Sequence, residues 1–213
     1  MTPKARFREA VQTRRRRMSQ RQRNRKSEAV AERLARLEVI RPGATVCFYL
    51  ATAEEVETRP LVAQALEVGC RVVVPRVAAE GHLELYAIED LEADVEVGAF
   101  GIEEPCGSGA APLEAEAVDC FVVPGVVFDP AGHRYGFGRG YYDRLLARRV
   151  PESVVVALAF DLQLLPALPA EAHDVPVDFI CTESRIFDCR GPSGGSRGEP
   201  HPAAPGGKEV ETL

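Results

Sequence analysis

The chain lacks any long apolar run. Its most apolar stretches, Phe121 to Phe128 and Val154 to Phe160, fall far short of the roughly 20 residues that a membrane-spanning helix needs, and Pro124 interrupts the first. A soluble chain is therefore expected. The amino terminus has no apolar segment of the secretory kind, so export is not expected. Its excess of arginine over acid also suits an organelle transit peptide, so the expected location is cytoplasmic, with the mitochondrial matrix as alternative. No CxxC pair occurs among the six cysteines at 47, 70, 106, 120, 181 and 189. Neither they nor His82, His133, His173 and His201 have the spacing of a zinc site. Most of the cysteines lie in apolar runs, where the residue behaves as a small hydrophobe, and reduced core thiols are the expectation.

What is present is an ordinary globular composition, 46% apolar and 27% charged over 213 residues, enough for one domain with a sizeable core. The net charge of −6 conceals a division. Residues 1–41 hold 14 Lys or Arg against 4 Asp or Glu, whereas residues 42–189 hold 9 against 25. The last 24 residues are balanced; ten of them are Gly or Pro and only Val210 and Leu213 are large aliphatics. Such a segment cannot bury enough surface to offset its ordering entropy, so residues 190–213 are expected to form a flexible tail on a single domain spanning 1–189.

Thr2 and Pro3 read as an N-cap and first helical position, predicting a helix to about Thr13 with Lys4 and Arg8 on one face. Ser19 and Gln22 have the spacing of a capping box, and Val30, Leu34 and Leu37 continue as a buried stripe until Pro42 and Gly43. Short apolar runs follow at Thr45–Leu50, Arg71–Pro75, Leu83–Ala87, Cys120–Pro124, Val154–Phe160 and Phe179–Thr182. Between the first two, Leu61, Ala65 and Leu66 repeat at helical spacing. The alternation predicts an α/β, three-layer sandwich with a largely parallel central sheet, preceded by two N-terminal helices.

The chemistry is expected in PGVVFDPAGHRYGFGRGYYDRLL, residues 124–146. A strand leads into a loop with Gly136, Gly138 and Gly140 and then a helix whose Tyr142, Leu145 and Leu146 face inward. Glycines permit close backbone approach, N–H groups at a helix start attract anions, and Arg134 and Arg139 add fixed positive charge. A polyphosphate suits that set, although neither GxxxxGK with Ser or Thr nor a complete GxGxxG is present. A Gly-rich hairpin-like turn is the plainer alternative. Asp143, in the first helical turn, either complements the helix dipole or holds Mg²⁺.

At this point the chain resembles the 5-formyltetrahydrofolate cyclo-ligase family, also called 5,10-methenyltetrahydrofolate synthetases, over nearly all of residues 3–182. The resemblance rests on Lys4 and Arg8 in KARFR, on FYLATAEEVET at 48–58, VVVPRV at 72–77, the long motif at 124–146 and HDVPVD at 173–178. It implies an enzyme that closes 5-formyltetrahydrofolate to 5,10-methenyltetrahydrofolate, with ATP as co-substrate and Mg²⁺ as cofactor. It assigns ATP to Lys4, Arg8 and the segment Arg134, Gly136, Phe137, Gly138, Arg139, Gly140, Tyr141 and Tyr142. The folate is assigned to Leu50, Glu55 and Tyr141, the metal to Asp143 and Asp174, and the catalytic roles to Arg134 and Tyr141. His173 receives no catalytic role, and no nucleophilic Ser, Cys or His is required.

Two other classes compete. Arg14 to Arg17 with Arg21, Arg23, Arg25 and Lys26 suggest a nucleic-acid-binding helix, but no aromatic residues are interleaved for base stacking, and a solvated helix face is the simpler reading. A related scaffold that binds nucleotide or folate without turnover is the other. The expected partners are 5-formyltetrahydrofolate and ATP, with neither membrane nor nucleic acid.

Overall fold

The caps and stripes of the amino-terminal segment produce the two expected helices in the computed structural model, which describes residues 3–98, 101–106, 111–171 and 173–191. Helix α1 (Pro3–Arg16) starts on its proline and runs three residues beyond Thr13. Arg14, Arg15 and Arg16 are good helix formers, and their charges oppose the negative carboxyl-terminal end of the helix dipole. Helix α2 (Gln20–Ala35) opens with the capping box in full: the Gln22 backbone donates to Ser19 Oγ at 3.3 Å, and the Ser19 backbone donates to Gln22 Oε1 at 2.9 Å. Arg23 reaches back to the Met18 carbonyl at 2.9 Å, satisfying an acceptor just beyond the end of α1.

The strands and helices that follow are β1 (Thr45–Phe48), α3 (Arg59–Glu67), β2 (Arg71–Val77), β3 (Leu83–Ile88), β4 (Val95–Val97) and β5 (Glu103–Pro105). They continue as β6 (Cys120–Val123), β7 (Val127–Phe128), β8 (Arg134–Tyr135), α4 (Tyr141–Leu146), β9 (Val154–Leu158), β10 (Phe179–Cys181) and β11 (Ile186–Asp188). Seven strands form one sheet in the order β11-β10-β9-β6-β1-β2-β3. The five inner strands are parallel, and only the edges β3 and β11 run antiparallel.

Both faces of this sheet are covered, which is why its strands read as continuous apolar runs. Val46, Phe48, Val72, Val74, Val122 and Val156 pack under Val30 and Leu34 of α2 and Leu61, Val62 and Ala65 of α3. On the other face Cys47, Val73, Phe121, Val155 and Ala157 pack against Leu145 and Leu146 of α4 and against Phe128. Each fully buried Val, Leu or Phe contributes about 1.5–3 kcal/mol relative to an exposed one. Helix α2 is thus part of a layer rather than an appendage, whereas α1 lies off the main sheet, its Val11 buried with Val126, Val127, Tyr135 and Leu168.

The chain runs from β1 outward to β2 on one side, and from β6 to β9 on the other. The crevice at the carboxyl ends of β1 and β6 is therefore the topological switch point, where open α/β sheets bind ligands. The six cysteines are free, and Cys47, Cys70, Cys120 and Cys181 are buried, as core thiols should be. Burial pushes the Cys181 thiol up to about 12, far from a reactive thiolate.

Three features were not anticipated. Strands β4 and β5 form a separate two-stranded hairpin, and β11 adds an antiparallel edge. The hairpin β7–β8 is inserted between β6 and the Gly-rich loop. Its turn is held by Asp129, whose Oδ1 accepts from the backbones of Ala131 and His133 at 3.0 Å each. A hairpin therefore does exist in the 124–146 stretch, but Gly136, Gly138 and Gly140 lie beyond it. At the carboxyl end Arg190 is tied down, paired with Asp188 at 2.7 Å and stacked 4.3 Å from the Phe179 ring centre. The rest of the expected tail, from 192 onward, lies outside the described residues.

Candidate active site

Packing of Val11 against the β7–β8 hairpin lays α1 so that its Lys4–Arg8 face covers Tyr135. Lys4 Nζ lies 4.9 Å and Arg8 Cζ 5.7 Å from the Tyr135 ring centre, and the ring is fixed by its hydroxyl donating to the Pro169 carbonyl at 2.6 Å. From there Arg8 reaches the Gly-rich loop. A β-carbon built on Gly138 would stand 3.5 Å from Arg8 Nη1, and the backbone there has φ +92°, a conformation that favours glycine. Gly140, at φ +65°, turns the chain into α4. Arg8 Nε is buried with no hydrogen-bond partner among the described residues. A buried guanidinium nitrogen without an acceptor, beside a loop kept open by glycine, is a place for an anion.

Lys4 is differently occupied. It pairs with Glu171 at 2.7 Å and lies 3.8 Å from Asp174. Partial burial opposes its charge, but those carboxylates outweigh it and hold the ammonium above its usual pKa.

Arg134 occupies the centre of the site. It is 7% exposed, donates to Asp143 Oδ1 at 3.0 Å and also to the Val175 carbonyl. Burial pushes its guanidinium below the usual range, with Asp143 acting in the opposite direction. Asp143 Oδ1 additionally accepts from the Val175 backbone at 3.3 Å, so the carboxylate is held against the segment that carries Asp174. Asp174 Oδ2 accepts from the Glu171 backbone at 2.8 Å. Two carboxylates on adjoining backbone, with Asp143 Oδ2 outside these hydrogen bonds, are hard-oxygen donors of the kind magnesium takes together with phosphate oxygens and water. A tighter group, Glu171, His173 and Asp174, has ligand atoms within 4.8 Å of one another; it includes Asp174 but not Asp143.

Glu55 lies in the loop after β1. Tyr49 donates to the Val56 carbonyl at 2.9 Å and Thr58 to the Tyr49 carbonyl at 2.7 Å, closing that loop around buried Leu50. Glu55 Oε2 accepts from both the backbone and the hydroxyl of Thr52 at 3.0 Å. Burial raises the Glu55 carboxyl above its ordinary range, against the lowering effect of the Thr52 bonds and of Arg15. Tyr142 lies within electrostatic reach of both Glu55 and Arg134. Tyr141 stacks with Arg144, whose guanidinium bridges the Arg139 carbonyl at 2.9 Å and the Gly81 carbonyl at 2.7 Å. Gly136 is part-buried in the same loop, while Phe137 and Arg139 are exposed.

The sequence reading missed two residues here. Arg15, inside the arginine run, is 2% exposed and reaches the Gly125 carbonyl. Gln163 donates to the carbonyls of Gly125 and Val126 at 2.9 and 3.1 Å. The position of Arg15, seven residues beyond Arg8 and four beyond Val11, was a readable signal of the same helix face.

The fold is a doubly wound α/β sheet, and the candidate site lies at the carboxyl edge of its central strands. The profile of the 5-formyltetrahydrofolate cyclo-ligase family matches residues 1–183. The 5-formyltetrahydrofolate cyclo-ligase of Mycolicibacterium smegmatis is 31% identical over 185 residues, 85% of this chain and 94% of that one. That of Escherichia coli K12 is 28% identical over 181 residues, 84% of this chain and 99% of its own. The solved structure of Aquifex aeolicus 5,10-methenyltetrahydrofolate synthetase superimposes with a TM-score of 0.77 at 34% identity, covering 94% of this chain and 97% of that one. The chain belongs to the 5-formyltetrahydrofolate cyclo-ligase family.

Proposed function

We propose that this protein closes 5-formyltetrahydrofolate to 5,10-methenyltetrahydrofolate at the expense of ATP, releasing ADP and phosphate. The observation that carries the ATP assignment is the unpartnered, buried Arg8 Nε beside Gly138, in a chain of this family. The chemical need is clear. N10 must attack the formyl carbon and expel its oxygen, a very poor leaving group. In the proposed course the formyl oxygen attacks the γ-phosphorus, forming an O–P bond as ADP leaves. N10 then attacks the activated carbon, the C–O bond breaks, phosphate departs and N10 loses its proton.

The protein's work is alignment and charge stabilisation, as in phosphoryl transfer generally. Lys4, Arg8 and Arg134 take the phosphates, with the backbone of Gly136, Phe137, Gly138, Arg139, Gly140, Tyr141 and Tyr142 forming the nucleotide segment. Leu50, Glu55 and Tyr141 take the folate, with Tyr141 bordering the formyl-bearing ring. Asp143 and Asp174 would hold Mg²⁺, which neutralises charge on the transferring phosphoryl group. The domain that does this spans residues 1–189. The location proposed for it is the cytoplasm, with the mitochondrial matrix as alternative. Among the described residues no helix is long and apolar enough to cross a membrane. Nucleic-acid binding is the weaker reading, because Arg15, Arg16, Arg23 and Lys26 are engaged in contacts within the chain. With formyl-¹⁸O substrate, the label is expected in inorganic phosphate; unlabelled phosphate would contradict the activated-formyl course.

Glu55→Gln is expected to raise KM for the folate about tenfold or more, since a hydrogen bond to a charged group contributes about 1.5–3 kcal/mol. Stability should move the other way. The folded pKa of Glu55 lies above its unfolded value, so its favourable contribution is complete below the ordinary carboxylate range and is lost as pH rises through the folded pKa. At neutral pH the wild-type fold carries the cost of a part-buried charge and the glutamine variant does not. Its melting temperature should equal or exceed that of wild type at pH 7, with the advantage fading in acid. A large drop in melting temperature at pH 7 would count against this account of Glu55.

A further inference from the structure

The Lys4–Arg8–Val11 face of α1 continues to Arg15, roughly 16 Å along the helix from Lys4 at 1.5 Å per residue. Its side chain is 2% exposed, yet its contacts are loose for a buried charge. Arg15 Nη1 donates to the Gly125 carbonyl at 3.4 Å, Nη2 lies 3.6 Å from Glu54 Oε2, and Nε is buried with no hydrogen-bond partner among the described residues. Arg16 holds the same carboxylate, its Nε 3.1 Å from Glu54 Oε1.

The location gives these contacts meaning. Gly125 follows the carboxyl end of β6, and Glu54 lies in the loop that follows β1. Arg15 therefore spans the switch-point crevice and joins both of its walls to α1. A buried guanidinium is costly unless paired, and for docking α1 an apolar residue such as Val11 suffices on the same face. The partner, Glu54, is the immediate neighbour of Glu55. On the same element as Arg15 stand Lys4 and Arg8.

We propose that Arg15 is a positioning residue that couples the two substrate sites, holding the Glu54–Glu55 loop to the helix that carries Lys4 and Arg8. This rests on the ATP and folate assignments made above. Seating of α1 on a nucleotide would then fix the loop that receives the folate, so each ligand should bind more tightly in the presence of the other. Reciprocity requires the same factor in both directions.

The test is calorimetric titration of the 213-residue chain with 5-formyltetrahydrofolate, with and without Mg²⁺ and an ATP analogue carrying a non-hydrolysable β,γ-imido bridge. In wild type the analogue should tighten folate binding about tenfold. Glu54→Ala, at a part-exposed loop position, and Arg15→Lys, which keeps the charge but cannot span both acceptors, should each bring that factor close to one. Binding of the analogue alone should stay within about twofold of wild type, a result that a mere loss of structure would not give. Thermal melts identify a variant that fails to fold, and the other then decides. Failure of wild type to bind either ligand would refute the functional reading itself. Binding of both without mutual effect, or an undiminished factor in the folded variants, would overturn the coupling role alone.

Discussion

Arg134→Ala is expected to lower kcat/KM for ATP on the order of 10³-fold, the low end of what an arginine that stabilises a transferring phosphoryl group contributes. The side chain is buried, forked between Asp143 and the Val175 carbonyl, and therefore held before substrate arrives. Preorganised charge of this kind acts on the transition state, so kcat should fall more than KM rises. The fold should suffer less. Asp143 is 24% exposed and can be hydrated once Arg134 is gone, so the loss should stay below the about 3–5 kcal/mol of breaking a fully buried pair. Arg134→Lys should not restore activity, because an ammonium cannot reproduce the two-sided fork. Steady-state kinetics at saturating folate, with melting temperatures alongside, check this; activity within tenfold of wild type would remove Arg134 from the phosphate site.

Asp143→Asn distinguishes the two roles open to that residue. If Asp143 only complements the dipole of the short helix α4, the variant loses a few tenths of a kcal/mol and keeps its activity. If it holds magnesium, replacing the carboxylate by an amide of the same size removes a hard anionic ligand. The expected result is a fall in kcat/KM on the order of 10²-fold and a rise of tenfold or more in the magnesium concentration for half-maximal activity. An unchanged magnesium response would leave Asp143 as a partner of Arg134 and nothing more. Both variants also probe one ion pair, so their effects on stability should not add.

Much of this was legible because the relevant signals are local. The Ser19–Gln22 box, Pro3 and the runs at Val72–Val74 and Cys120–Val123 specify their elements through hydrogen bonds and side-chain burial within or next to the segment. The Lys4–Arg8 spacing placed both residues on one face, which in the structure covers Tyr135, and Arg8 reaches on to Gly138. What failed to show depends on docking. Strands β7 and β8 have two residues each, too few to show a period. That hairpin carries Arg134 back to Asp143 nine residues later. The burial of Arg15 within four consecutive arginines is set by where α1 rests on the hairpin, which composition does not encode. Read from composition, the run looked like a solvated basic face. In the fold Arg15 is an internal strut, Arg16 is bound to Glu54 and Arg23 closes the end of α1.

The central claim is that this chain couples ATP consumption to formation of the methenyl bridge. The most direct measurement is the absorbance of 5,10-methenyltetrahydrofolate formed by the purified 213-residue protein from 5-formyltetrahydrofolate, with ATP and magnesium each omitted in turn. The account predicts that the absorbance grows only when all three are present, with one ADP released per molecule of product. No growth with the complete mixture, or equal growth without ATP, would contradict it.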